Sequence, residues 1–165
     1  MKITETFDEM NLTDELLRGI LAYGFEMPST IQKQAIIPIT ERKDIIAQAQ
    51  SGTGKTGTFV IGSLQQLDLT IKNTQIIILS PTRELSLQIN KVISEIGKYM
   101  NITSYACIGG TNVRQCINEL KSGKQIVVGT PGRIYDMINK GALQLNNLKS
   151  IIIDEADDML DRGFL

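Results

Sequence analysis

Short apolar runs alternate along the chain with longer stretches in which apolar positions recur every three or four residues. The runs Ile45–Ala49, Ile76–Ser80, Ser104–Ile108, Gln125–Gly129 and Ser150–Asp154 predict buried strands. Lys55–Leu67 places Phe59, Val60, Leu64 and Leu67 near one helical face. Glu84–Met100 does the same with Leu85, Ile89, Val92, Ile93 and Ile96. Asn112–Lys121 and Arg133–Lys140 predict shorter helices. Two further helices precede the first run. Thr13 and Ser29 are their N-caps, and Asp14 and Glu15 fall in a first turn that favours negative charge. Strand followed by helix, repeated, with strands apolar on both faces, predicts an α/β fold: a mostly parallel sheet with helices on both faces. In open sheets of this kind ligands bind beyond the carboxyl ends of the strands. The strand-to-helix loops are therefore where chemistry is expected.

Composition narrows that chemistry. The chain has 165 residues, 42% hydrophobic and 21% charged, as an ordinary globular domain does. It has no histidine, which excludes a Ser-His triad, imidazole acid–base catalysis and a His-ligated zinc. Its two cysteines, Cys107 and Cys116, are too few for a four-thiolate zinc and read as buried reduced thiols. The work falls to carboxylates, Lys, Arg, hydroxyls, backbone N–H groups and a hard cation such as Mg²⁺. The net charge of −1 does not advertise nucleic-acid binding, although a local basic patch is compatible with it. There is no repeat, no apolar N-terminal leader and no apolar run long enough for a membrane span. A cytoplasmic or nuclear protein is expected, without a membrane partner.

The loop after Ile45–Ala49 reads Gln50-Ser51-Gly52-Thr53-Gly54-Lys55-Thr56. Gly52 and Gly54 permit backbone angles that turn successive N–H groups toward an anion, and the following helix adds its positive end. Lys55 reaches the β- and γ-phosphates of a nucleotide, and the Thr56 hydroxyl can ligate Mg²⁺. The strict pattern G-x-x-x-x-G-K-[ST] is broken at its first position, here Ala49, but the later glycines do the cradling. Downstream, Ile151-Ile152-Ile153 runs into Asp154-Glu155-Ala156-Asp157. Asp154 is placed to hold Mg²⁺, and Glu155 to orient or deprotonate an attacking water.

Asp-Glu-Ala-Asp at 154–157, after Ala-Gln-Ser-Gly-Thr-Gly-Lys-Thr at 49–56, resembles a DEAD-box RNA helicase. The remaining loops agree in order and position: Pro81-Thr82-Arg83-Glu84-Leu85, Gly109-Gly110 and Thr130-Pro131-Gly132-Arg133. Gly24 to Gln32 resembles the family's adenine-sensing segment, and Phe7 its upstream aromatic. Leu-Leu-Arg-Gly at 16–19, Tyr-Gly-Phe-Glu at 23–26, Ala-Gln-Ala-Gln at 47–50 and Ala-Cys-Ile-Gly-Gly-Thr-Asn-Val at 106–113 are similar to the translation initiation factor 4A group, which includes an exon-junction relative.

The resemblance implies a RecA-like P-loop NTPase domain that uses ATP and Mg²⁺. Residues 1–32 would form the N-terminal helices with the adenine segment, and 33–165 an incomplete ATP-binding domain. Phe25 would stack on the adenine ring and Gln32 pair with its edge. Ser29-Thr30-Ile31-Gln32 also fits a capping box, in which Gln32 turns back to the N-cap N–H, so both readings of Gln32 stand. Phe25 and Phe7 fit a plain aromatic core equally well.

Pro81, Thr82, Arg83, Gly109, Gly110, Thr130, Pro131, Gly132 and Arg133 would contact the backbone of single-stranded RNA. Their hydroxyls, guanidiniums and helix-start N–H groups are phosphate ligands, and no aromatic residue stands among them to stack on bases. The implied partners are that RNA, a second RecA-like domain that supplies arginine fingers, and initiation or exon-junction proteins, with the protein itself a monomer. Asp157 would couple the ATP and RNA sites through a segment beyond Leu165. The chain is accordingly expected to be a truncated lobe, nearly inactive alone, of a helicase acting in translation initiation. The competing readings are an ATP-gated RNA clamp of exon-junction type, which would be nuclear, and a P-loop ATPase acting on another nucleic acid.

Overall fold

The computed structural model describes residues 4–163. The chain divides into two units. One comprises the described residues up to Leu67 together with Val92–Ile102, and the other comprises Asp68–Lys91 and the described residues from Thr103 onward.

In the first unit a 3-10 turn, Asp8–Met10, leads to α1 (Asp14–Tyr23), α2 (Thr30–Thr40) and α3 (Lys55–Gln66). Thr13 and Ser29 occupy the N-cap positions of α1 and α2, as their sequence predicts, although the Thr13 side chain makes no cap hydrogen bond. Leu16, Ile20, Ile36, Val60, Ile61 and Leu64 are buried to the last percent and form the apolar interior. α2 and α3 approach closely because Gly62 has no side chain: a Cβ there would lie 2.6 Å from Cβ of Ile39. The N–H of Thr13 donates to Oε1 of Gln65 at 3.0 Å, tying the start of α1 to the end of α3.

The second unit holds a four-stranded sheet of β1 (Ile76–Leu79), β2 (Ser104–Cys107), β3 (Ile126–Gly129) and β4 (Ser150–Ile153). All three pairings are parallel and the order is β2-β3-β1-β4. α5 (Val113–Lys121) and α6 (Pro131–Asn139) cover one face, where Ile77, Cys107, Cys116, Leu120, Val127, Ile134 and Met137 form one core. Ile76, Ile78, Ile126 and Val128 on the opposite face are buried as well, as expected for parallel strands. α4 (Arg83–Ile96) follows β1 and α7 (Ala156–Asp161) follows β4. Leu79 pairs with Gly129 and with Ile153, and Gly129 pairs with Cys107. That register ends the four strands at one level, so their following loops share the carboxyl edge of the sheet. Gly129 is required there: a Cβ would run into the backbone carbonyl oxygen of Cys107 on the neighbouring strand, and would lie 2.8 Å from Cδ1 of Ile134 as well.

Three differences from the sequence reading exceed one residue. Ile45–Ala49 forms no strand; Ile45 and Ile46 are exposed and the segment joins no ladder. An apolar run becomes a strand only when a neighbour satisfies its N–H and C=O groups, and among the described residues it has none. α4 stops at Ile96 rather than Met100, because the chain turns at Gly97, where a Cβ would crowd Ile102. α6 starts at Pro131, two residues before the predicted Arg133, with proline in the first turn where its missing N–H costs nothing.

Candidate nucleotide and RNA-backbone sites

The phosphate loop lies in the first unit. Gly52 has φ +79° and Gly54 φ +90°, left-handed values that a side chain disfavours. Gly54 is the N-cap of α3, so Lys55 and Thr56 occupy its first turn, where N–H groups are unpaired within the helix. Oγ1 of Thr53 donates to the Gln50 carbonyl at 2.6 Å and closes the turn between them. The Gly54 carbonyl accepts from the N–H of Thr58 at 3.0 Å, from Oγ1 of Thr58 at 2.8 Å and from Nε2 of Gln32 at 3.3 Å. The exposed loop of Ser51, Gly52 and Thr53 is thus anchored at its inner end.

Gln32 is 2% exposed and both ends of its amide are engaged. Oε1 accepts the N–H of Ser29 at 2.9 Å, the capping contact read from the sequence, while Nε2 holds Gly54. Phe25 lies beside it, half-buried against α3: a Cβ on Gly57 would come within 2.6 Å of its ring. Phe7 stacks on Phe25 with centroids 6.4 Å apart and is itself buried. Tyr23, which sequence reasoning missed, meets Phe25 edge-on at 4.9 Å. Phe25, Gln32 and the phosphate loop are therefore adjacent in one unit.

The acidic strand end lies in the second unit. Asp154 is 6% exposed, its N–H donates to the Leu79 carbonyl at 2.9 Å, and its Oδ1 accepts the N–H of Glu155 at 3.0 Å. Glu155 has φ +52°, a left-handed conformation that is costly for a residue with a side chain. It is the N-cap of α7, with Asp157 exposed in the first turn. A buried carboxylate at a strand end suits a hard cation, and Mg²⁺ commonly takes one or two carboxylates, waters and substrate phosphates rather than a protein cage.

Beyond the carboxyl ends of β1, β2 and β3 a cleft of about 480 Å³ is lined by Pro81, Thr82, Arg83, Glu84, Gly109, Thr130, Pro131, Gly132, Arg133 and Arg162. Eight of the nine RNA-contact residues expected from the sequence line it together. The ninth, Gly110, adjoins it: φ is +77° and a Cβ would lie 2.6 Å from Cζ of Arg83, so the guanidinium rests on the bare glycine. Arg133 is held from behind, donating through Nη1 and Nη2 to Oγ1 and the carbonyl of Thr111, both at 3.0 Å. Oγ1 of Thr82 accepts the N–H of Leu85 at 3.2 Å and caps α4. Two helix N-termini and three arginines against one glutamate make the cleft a receptor for anions. Arg162 was not foreseen; its only sequence signal is the i,i+4 spacing from Asp158, to which its Nε donates at 3.0 Å.

Residues 29–165 match the DEAD/DEAH box helicase family. The chain belongs to that family. It is 60% identical over 163 residues to the ATP-dependent RNA helicase eIF4A of Neosartorya fischeri, which covers 99% of this chain and 41% of the relative. It is 57% identical to the eukaryotic initiation factor 4A of Drosophila melanogaster, with 99% and 40% covered. Among solved structures it is similar to a DEAD box protein from the hyperthermophile Methanococcus jannaschii, at TM-score 0.93 and 40% identity, over 98% of this chain and 44% of that one. It is also similar to a variant of S. cerevisiae Dbp5 solved with RNA and ADP BeF3, at TM-score 0.88 and 38% identity, over 98% and 41%. The chain spans about two fifths of the length of the curated relatives it matches.

Proposed function

We propose that this chain is the ATP- and RNA-binding lobe of an ATP-dependent RNA helicase that works in translation initiation. The observation that carries the reading is the phosphate loop: two left-handed glycines deliver Lys55 and Thr56 into the first turn of α3. Backbone N–H groups and Lys55 bind the nucleotide phosphates there. In the first unit the Thr56 hydroxyl, and in the second unit the buried Asp154 carboxylate, are each an oxygen donor of the kind Mg²⁺ takes, and the ion when bound would neutralise phosphate charge. Glu155 is the group that orients and deprotonates water. Phe25 offers a ring face to adenine. Gln32, which keeps a second lone pair and a second amide hydrogen beside its bonds to Ser29 and Gly54, would read the adenine edge with them, which links base recognition to the phosphate loop.

The arginine-lined cleft takes the RNA backbone. Its contacts are to phosphate and sugar, so binding is independent of sequence and weakens with salt. The similarity to initiation factor 4A proteins favours a cytoplasmic role in initiation, with initiation proteins and a second RecA-like domain as partners and the protein a monomer. Arginine fingers from that domain contribute about 10³–10⁵ in rate where such residues have been measured. The chain by itself is therefore expected to bind nucleotide weakly and to turn it over slowly.

The test is titration of the chain with a fluorescent ATP analogue and Mg²⁺, beside Lys55→Ala. Loss of binding in the variant, with unchanged urea unfolding, supports the phosphate-loop assignment; equal binding by both chains overturns it.

A further inference from the structure

Cys107 ends β2 and Cys116 lies in α5, nine positions on, and their sulfurs are 3.5 Å apart. Both thiols are free and fully buried in the core beneath α5 and α6. The segment between them is the loop that backs the anion cleft. Gly110 is the surface on which the Arg83 guanidinium rests, and Thr111 holds Arg133 with two hydrogen bonds. The only two cysteines of the chain thus bracket the support of two of the three cleft arginines.

We propose that Cys107 and Cys116 are a covalent modification site: hydroperoxides convert the pair to a disulfide that fixes the 108–112 loop and retunes the cleft. One thiol, as thiolate, attacks a peroxide oxygen. The S–O bond forms, the O–O bond breaks, and the departing hydroxide (alkoxide from an organic hydroperoxide) takes a proton to become water or an alcohol. The second thiol attacks the resulting sulfenic sulfur; the S–S bond forms, the S–O bond breaks, and the hydroxide leaves as water with that thiol's proton. Two electrons pass from the sulfurs to the peroxide. The sulfurs must close from 3.5 Å to a bond of about 2.05 Å, which draws the first turn of α5 toward β2. Burial disfavours the Cys107 thiolate, so the native pair reacts slowly, when the first turn of α5 lifts. The thiol chemistry needs no assumption about the ligand; the effect on the cleft rests on the RNA-backbone reading.

The experiment uses the whole 165-residue chain, reduced and then exposed to hydrogen peroxide. It is quenched, unfolded, treated with a thiol alkylator and weighed intact. The expected product is a monomer lighter than the reduced chain by two hydrogens, with no alkylation, restored to two alkylation sites by dithiothreitol. Cys116→Ser should gain oxygen or cross-link between chains instead. The pairing is overturned if the native chain keeps two alkylatable thiols after an exposure that oxidises the urea-unfolded chain completely, or if its product is an intermolecular dimer. In parallel, the oxidised chain should bind single-stranded RNA about tenfold more weakly, the worth of one charge-assisted contact. Equal affinity in the two redox states overturns the link to the cleft. Failure of the reduced chain to bind RNA at all refutes the RNA reading, while the mass measurement still decides the thiol pair.

Discussion

Replacing Gly110 by alanine tests whether the cleft depends on a bare backbone under Arg83. Two costs separate cleanly. The first is conformational: Gly110 sits at φ +77°, and a left-handed alanine costs about 1–2 kcal/mol. The second is steric: the new Cβ would lie 2.6 Å from Cζ and 2.9 Å from Nη2 of Arg83, so the guanidinium must leave its place. A displaced arginine loses a charge-assisted bond to phosphate worth about 1.5–3 kcal/mol, or roughly 10–100-fold in affinity. One lost phosphate contact also makes the plot of log affinity against log salt shallower by about 0.7 for a single strand. Fluorescence anisotropy with a labelled oligoribonucleotide across a salt series reads affinity and slope, and urea unfolding reads stability. Arg83→Ala, alone and with Gly110→Ala, completes the cycle. In the Arg83→Ala background the extra methyl should still cost stability and cost no further RNA affinity. The reasoning is refuted if Gly110→Ala keeps wild-type affinity and salt slope, or if it weakens RNA binding equally with and without Arg83.

Gly132 lies in the first turn of α6 without positive φ and with open space around it, so Gly132→Ala should raise stability by about 0.5–1 kcal/mol in urea unfolding. If the RNA backbone lies against it, the same variant should weaken RNA binding. Gln32→Ala removes the bonds to Ser29 and Gly54 and should cost about 1–2 kcal/mol, seen as a lower melting temperature, together with weaker binding of an ATP analogue. Burial and the neighbouring Cys116 raise the Cys107 thiol above its ordinary 9.0, and burial raises Tyr105 from 10.0 to about 12. The folded state thus holds these protons more tightly. Their contribution is complete below pH 9.0 and is lost as pH rises through the two groups. Urea unfolding at rising pH should show the fall, and Cys107→Ala should remove its first part.

Much of this is legible because parallel sheets declare themselves: β1 and β3 are apolar and buried, and the loops after β1, β3 and β4 carry unusual residues; β4, equally apolar in sequence and expected to be buried, stands at the end of the strand order with Ile151 and Ile153 exposed among the described residues. The cleft was legible for the same reason, since register, which no motif states, needs only to end the strands at one level. Ile45–Ala49 was not, because its composition matches β1 while its partners, not its residues, decide strand formation. Thr111 and Arg162 were hidden for another reason. Thr111 acts by holding Arg133, and Arg162 reaches the cleft from beyond α7; both roles depend on distances between segments remote in sequence. Gln32 admits two readings in sequence, and its amide makes the capping contact and a phosphate-loop contact together.

The strand order carries a consequence for how the chain is made. β1 lies between β3 and β4, both of which follow it in sequence, and its first partner to be synthesised, Ile126, comes fifty positions after Ile76. At about 5–20 residues per second, the run Ile76-Ile77-Ile78-Leu79 waits some 3–10 seconds for a neighbour. A short, uncharged, β-prone run left unpaired for that interval is the kind of segment that pairs with other chains. Conditions that slow translation between residues 80 and 126 should therefore lower the soluble yield of this protein without changing the stability of the molecules that do fold.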